Sequence, residues 1–207
     1  MSLKMLEMLN NQGVQRVIAT PHFHAHREGS VEAFLEKRQA AFDKIKTQSA
    51  VPEILLAAEV AVEHGISELK DVQKLAIQGT NLILLELPYR GYKKWMSEEI
   101  YQISAEYGLK IILAHIHRYC EYYTKVEMQW ILQTDAYFQI NHDAFTDFRQ
   151  KSFVKSLIKQ EYPVIFGSDC HNLTDRKPDW NAVRKGRRIP VVEQSDSIID
   201  NHRIRKS

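Results

Sequence analysis

Six runs of apolar, β-branched-rich residues recur along this chain, each of strand length, with helical stretches between them. Such alternation is the pattern of βα units around a parallel sheet buried on both faces. Strands are predicted at Val14–Thr20, Glu53–Glu59, Asn81–Leu87, Lys110–His115, Ala136–Asn141 and Pro163–Asp169. Helices are predicted at Leu3–Asn11, stopped by Gly13, and at Ser30–Thr47, with Ser30 as N-cap. Further helices follow at Ser97–Tyr107, stopped by Gly108, at Lys125–Gln133 and at Thr146–Gln160, with a shorter, weaker one at Gly65–Ala76.

With 207 residues, 44% of them hydrophobic and 26% charged, the chain can bury a substantial core. Collagen, coiled coil and bulk disorder are excluded. No linker, repeat or low-complexity tract interrupts the pattern, so residues 1–207 read as a single domain. A formal charge of +2 gives no field that would argue for nucleic acid as a partner. Two cysteines, Cys120 and Cys170, are too few for a disulfide framework and fit a reducing compartment. The opening MSLKMLEMLN lacks the apolar run of a signal peptide, and no stretch approaches the roughly 18 apolar residues of a membrane span, so a cytoplasmic protein is expected. The tail from Arg184 to Ser207 is rich in charge and is expected to be solvated or loosely packed.

Functional groups of βα barrels come from the C-terminal ends of the strands. Here the first strand leads into Pro21-His22-Phe23-His24, and the next two supply Glu59 and Glu86. The others end in His115 with His117 beyond, in Asn141-His142 and in Asp169-Cys170-His171. Taken singly, a histidine beside an apolar run is more often structural than a ligand, which also applies to His64, His142 and His202. Glu59 and Glu86 differ, because each sits in or at the end of a nearly unbroken apolar strand, where an unpaired carboxylate is costly. The set His22, Glu59, Glu86, His115, Asp169 and His171 therefore reads as a metal-ligand set. Mixed nitrogen and oxygen donors suit Zn²⁺, Mn²⁺ or Fe²⁺ better than Ca²⁺. Asp169 and His171 are expected on one side of an extended segment, with Cys170 turned into the core.

The segments ATPHFH, AAE, LLELP, LAHIHRY, QIN and SDCHN resemble, in order and spacing, the polymerase and histidinol phosphatase (PHP) superfamily. Within it they are most similar to the manganese-dependent protein tyrosine phosphatases of bacterial capsular and exopolysaccharide synthesis. The resemblance implies an α/β fold, a distorted parallel (β/α)7-type, TIM-like barrel that holds up to three divalent ions at its C-terminal rim. It implies Mn²⁺ as the cofactor, with Fe²⁺, Zn²⁺ and Mg²⁺ as alternatives. By the same resemblance Glu59 bridges two ions, Glu86 and His115 complete one site, Asp169 binds on the other side of Glu59, and His22 with His171 holds the third. Arg118 and Arg176 resemble arginines that contact substrate phosphate. The implied substrate is a phosphotyrosine protein, such as the tail of a polysaccharide-assembly tyrosine kinase, with oligomeric state left open. A histidinol-phosphatase-like small phosphate monoesterase and a non-catalytic metal- or kinase-binding remnant are the alternatives.

Two departures from that family stand out. Its members open on a strand ending in Asp-x-His-x-His, and this chain goes directly into a helix, so the first strand of the barrel and its ligands are expected to be missing. Six βα units also fall short of the eight that close an ordinary barrel, which leaves an open parallel edge next to the first helix. Impaired phosphatase activity is expected, unless His24 and His26 in the run His22-Phe23-His24-Ala25-His26 substitute for the lost ligands. The second departure is His117, where the related phosphatases carry an acidic residue; it is expected to add positive character near the phosphate. Tyr119, Tyr122 and Tyr123, with Tyr89, Tyr92 and Trp95, are candidates for an aromatic wall against a phosphotyrosine ring.

Overall fold

The structure is a computed structural model and describes residues 2–46, 52–179 and 197–204. All six predicted strands form, but the first two are each divided by a bend. Strand β1 (Arg16–Ala19) continues after Thr20-Pro21 as β2 (His22–Phe23), and β3 (Glu53–Leu56) continues after Ala57-Ala58 as β4 (Glu59–Ala61). Proline has no N–H to donate to a ladder, so Pro21 is a natural point for the break. The two strands bend together: Ala57 N–H donates to the Ala19 carbonyl at 2.9 Å and Glu59 N–H to that of Pro21 at 3.1 Å. β1 pairs with β3, and the order of the main sheet is β2-β4-β5-β6-β7-β8, where β5 is Leu82–Glu86, β6 Lys110–Leu113, β7 Ala136–Asn141 and β8 Val164–Gly167. Each of these pairings is parallel.

Helices lie between the strands: α1 (Ser2–Asn11), α2 (Ala25–Glu28), α3 (Val31–Asp43), α4 (Lys94–Tyr107), α5 (Lys125–Leu132) and α6 (Phe148–Lys159). Local chemistry sets their ends. The Ser30 hydroxyl accepts from Ala33 N–H at the start of α3, Thr124 and Glu127 form a capping box on α5, and Asp147 caps α6. Gly108, in the left-handed region, stops α4. α3 ends at Asp43, short of the predicted Thr47, which lies outside the described residues. The helix expected over Gly65–Ala76 does not form. Two 3₁₀ turns, Ile66–Glu68 and Val72–Leu75, replace it, because Gly65 and Asp71 take left-handed conformations of φ 78° and 67° that no helix interior accepts. Their apolar residues Ile66, Val72 and Leu75 are buried all the same.

Period-two alternation divides the core into two layers. Ile83 and Leu85 of β5, with Ile111 and Leu113 of β6, face the outer helices, whereas Leu82 and Ile112 face inward with Ile77 and Ile165. Ile199, from the segment expected to be loosely packed, joins this inner cluster. That segment is anchored: Asn81 N–H donates to the His202 carbonyl at 3.2 Å and Ile204 N–H to that of Gly79 at 2.9 Å. The cluster Arg184–Arg188 lies outside the described residues.

Among the described residues the barrel does not close. β8 pairs only with β7, and β1 and β2 pair only with β3 and β4. A cavity of about 1880 Å³ is lined by both edges, including Ile18 of β1 and Ile165 of β8, and by Leu6 and Leu9 of α1. The open edge beside the first helix is therefore present, as the strand count implied. No helix among the described residues is long and apolar enough to cross a membrane.

Candidate metal centre

At the rim of the sheet, β2 sends Phe23 into the core, where it is fully buried and meets Phe34 edge-on at 5.1 Å, and so turns His22 outward. His22 is in register with Glu59 on β4, and Ala61 two residues on is in register with Glu86 at the end of β5. Neighbouring residues of a parallel ladder share a face, so the three side chains converge. His22, Glu59 and Glu86 each offer a donor atom, and these lie within 4.8 Å of one another. His115, just past β6, is 2% exposed, and its Nε2 lies 2.9 Å from Glu59 Oε1 and 3.2 Å from Glu86 Oε1. Buried Glu59 and part-buried Glu86 are thus faced by two imidazoles and, among the described residues, by no Lys or Arg.

The electrostatics follow from this packing. Burial alone would raise the Glu86 carboxyl, but its contacts with His115 and His22 outweigh that and hold it well below the usual carboxylate range. His22 is raised by its contact with Glu86. Burial would lower His115, and the adjacent Glu59 and Glu86 raise it instead.

Asp169 takes a different place from the one expected. It is not in an extended segment but at φ 47°, in the left-handed region, and its carboxylate is gripped by two arginines. Arg118 Nη1 is 2.8 Å from Asp169 Oδ2, and Arg176 contacts the same oxygen. His171 comes back beside Asp169 through this turn, its Nδ1 2.9 Å from the Asp169 carbonyl, and its Nε2 lies 3.5 Å from His22 Nε2. Cys170, expected in the core, is only half-buried and faces the cavity. Arg118 also pairs with Asp143 at 3.0 Å; burial alone would raise the Asp143 carboxyl, but its contacts with His117 and Arg118 hold it well below the usual carboxylate range.

His117 does not add positive character. It is fully buried, and burial pushes its pKa down despite a 3.2 Å contact with Asp143. The aromatic wall is also smaller than expected. Tyr119, Tyr123 and Tyr92 are buried, with the Tyr123 hydroxyl donating to the Pro88 carbonyl and Tyr92 meeting Ser97. Trp95 stacks on His64 at 3.8 Å. Only Tyr89 and Tyr122 present exposed rings, 5.0 Å apart, and Tyr89 also stacks on His115. Burial and the nearby carboxylates push the Tyr89 hydroxyl up to about 12.

A relay not expected from the sequence links the two halves of the rim. Gln139 Oε1 accepts from His115 N–H at 2.6 Å, Gln139 Nε2 donates to Asn141 Oδ1 at 2.6 Å, and Asn141 Nδ2 donates to Asp169 Oδ2 at 3.0 Å. Gly167 permits it, since a Cβ there would stand 2.6 Å from Gln139 Nε2. The available signal was two amide residues spaced by two in the otherwise apolar β7. His24 and His26, considered as substitute ligands for this rim, instead turn to Glu63. His202 is held by Tyr137 and Asn81, away from the rim.

A model of the family described as capsular polysaccharide synthesis, CpsB/CapC, matches residues 1–190. The chain belongs to the CpsB/CapC family. The expected place in the PHP superfamily is thereby borne out. A solved chain from the crystal structures of YwqE from Bacillus subtilis and CpsB from Streptococcus pneumoniae, described as unique metal-dependent tyrosine phosphatases, shares the fold. It superposes with a TM-score of 0.77 at 19% identity, over 100% of this chain and 89% of that one. No curated protein sequence matches the chain.

Proposed function

We propose that this CpsB/CapC chain is a metal-dependent phosphomonoesterase that hydrolyses protein phosphotyrosine in capsule or exopolysaccharide synthesis. The observation that carries this reading is the pairing, on one rim, of a pocket made by buried Glu59 and His115 with part-buried Glu86 and, at its mouth, His22, with two arginines converging on one anion. Two carboxylates withdrawn from solvent and, among the described residues, facing imidazoles rather than Lys or Arg are a costly arrangement that a divalent cation relieves. The donor set fits such an ion: Glu59 and Glu86, with His115 Nε2 2.9 and 3.2 Å from them, would hold one, and His22 with His171, 3.5 Å apart across the rim, would hold another. Bound there, a divalent ion supplies Lewis acidity toward phosphate and makes a water nucleophilic near neutral pH. Mn²⁺ is the proposed ion and the cytoplasm the proposed location.

The protein's own groups do the rest. Arg118 and Arg176 offer planar forks to a phosphate, which would replace the Asp169 carboxylate they now hold and so free it toward the metal side. Tyr89 and Tyr122 flank the pocket with exposed ring faces, which favours an aryl ester over a small alkyl phosphate. The proposed partner is accordingly the phosphotyrosine-bearing tail of a polysaccharide-assembly kinase.

The test is hydrolysis of a phosphotyrosyl peptide and of histidinol phosphate by the full chain with added Mn²⁺. Faster turnover of the peptide, lost on chelation, is expected. Glu59→Gln should lower kcat/KM by more than about 100-fold, since even outer-shell partners of a metal cost 10- to 100-fold. Preference for histidinol phosphate, or activity that survives chelation, would overturn the assignment.

A further inference from the structure

Beyond the rim pocket, three further donor side chains come together where no catalytic role has been placed. His24 precedes α2, His26 lies in its first turn, and Glu63 follows β4 two residues after its end. His26 Nδ1 is 2.6 Å and His24 Nδ1 3.3 Å from the same oxygen, Glu63 Oε1. The three donor atoms lie within 4.8 Å of one another. Glu63 Oε2 also accepts from His26 N–H at 3.2 Å, so the carboxylate is aimed by the helix start.

We propose that His24, His26 and Glu63 form a separate binding site for a single divalent transition-metal ion of the Zn²⁺ class, with its fourth position open to water. Two imidazoles and one carboxylate are a preferred donor set for Zn²⁺, and three protein ligands with one open position are a common arrangement. Side-chain exposures of 27%, 58% and 22% leave an entry path while keeping two of the three donors oriented. Among the described residues no Lys or Arg side chain is paired with Glu63, and the two imidazoles answer its charge. His24 stacks on His22 with ring centroids 6.1 Å apart, so the ion would sit beside the rim pocket without sharing its ligands. It would tie the loop after β2 to the end of β4, and thereby fix the loop that follows His22 and Phe23.

One neighbour opposes the ion. Arg27 Nε lies 3.0 Å from His26 Nε2. Arginine can only donate, so Nε2 accepts and the ring hydrogen sits on Nδ1, pointing at Glu63. Metal binding at Nδ1 requires the other tautomer, with the hydrogen on Nε2, and ends the contact with Arg27. Arg27 is therefore a built-in competitor, and its removal favours the ion.

Co²⁺ titration of the full chain, read by metal analysis and visible absorption, tests the site independently of phosphatase activity. A Glu59→Gln/Glu86→Gln/His171→Ala chain, which lacks both rim sites and whose folding is checked by circular dichroism, should still bind one Co²⁺, and adding His24→Ala/His26→Ala should abolish it. The reciprocal His24→Ala/His26→Ala change in the otherwise native chain touches partly exposed residues and should reduce the bound metal by one per chain. Arg27→Ala should tighten the remaining site about threefold, the equivalent of one weak exposed contact. A folded Glu59→Gln/Glu86→Gln/His171→Ala chain that binds no Co²⁺, or an unchanged count after His24→Ala/His26→Ala, would overturn the proposal. Loss of turnover with retained binding at this site would count against the phosphatase reading alone.

Discussion

His115 and Asp169 are both held at positive φ, 32° and 47°, in a region that side chains with a Cβ rarely adopt. Each such residue costs on the order of 1–3 kcal/mol, and the surrounding contacts must maintain it. The relay through Gln139 and Asn141 reaches both. Glu59 and Glu86 were legible in the sequence because a carboxylate in an apolar strand needs a partner wherever the strand lies. The company of Asp169 was not legible, since which cation meets it depends on loops that converge only in the fold. His117 was misread for a related reason: its charge follows from burial, and burial at the end of a strand is a tertiary property. At this scale Arg118→Lys should raise KM for an aryl phosphate about tenfold, because a point charge cannot replace a fork on two oxygens. Steady-state kinetics with p-nitrophenyl phosphate checks it; an unchanged KM would remove Arg118 from the phosphate site.

Elements were legible where one local rule decided them. α4 ends at the glycine, and α3, α5 and α6 each start at a side-chain cap. The bends that divide the first two strands were not, because apolar continuity hides a break when both strands bend together. The segment after Gly65 deceived the pattern more thoroughly, with helical spacing of its apolar residues but left-handed residues between them. It is held by Glu99 of α4, whose carboxylate accepts from Gly65 N–H at 2.6 Å, Ser67 N–H at 2.9 Å and the Ser67 hydroxyl at 2.7 Å. Burial pushes the Glu99 carboxyl up, yet the hydrogen bonds from Ser67 and Gly65 bring it below its ordinary 4.5. A depressed carboxylate contributes stability above the unfolded value and loses it as pH falls through the folded one. Glu99→Gln should therefore destabilise the chain by about 2 kcal/mol at neutral pH. The deficit should shrink as pH falls below the ordinary glutamate range, as measured by urea unfolding across pH. A deficit independent of pH would contradict the charge-based account.

For the whole molecule, the count of βα units already implied an unclosed barrel, and the two edges lining one cavity match it. What the sequence could not supply was the position of the last described segment, which closes the floor of the barrel through Ile199. Metal binding should stabilise the molecule as a unit. At a free Mn²⁺ concentration 100 times Kd the gain is about 2.7 kcal/mol, which for a chain of this size raises Tm by about 5–10 °C. Scanning calorimetry with and without chelator measures it, and an unchanged Tm would mean that no ion binds the folded state preferentially. His22 and His171 stand at opposite ends of the sheet, yet their Nε2 atoms are 3.5 Å apart. The split ring thus gapes along its length and is pinched at one point on its lip. An ion held there, as proposed, would act as a clasp, joining by coordination two margins that no ladder joins among the described residues. The span of the ring, and the room inside it, would then depend on what the lip holds.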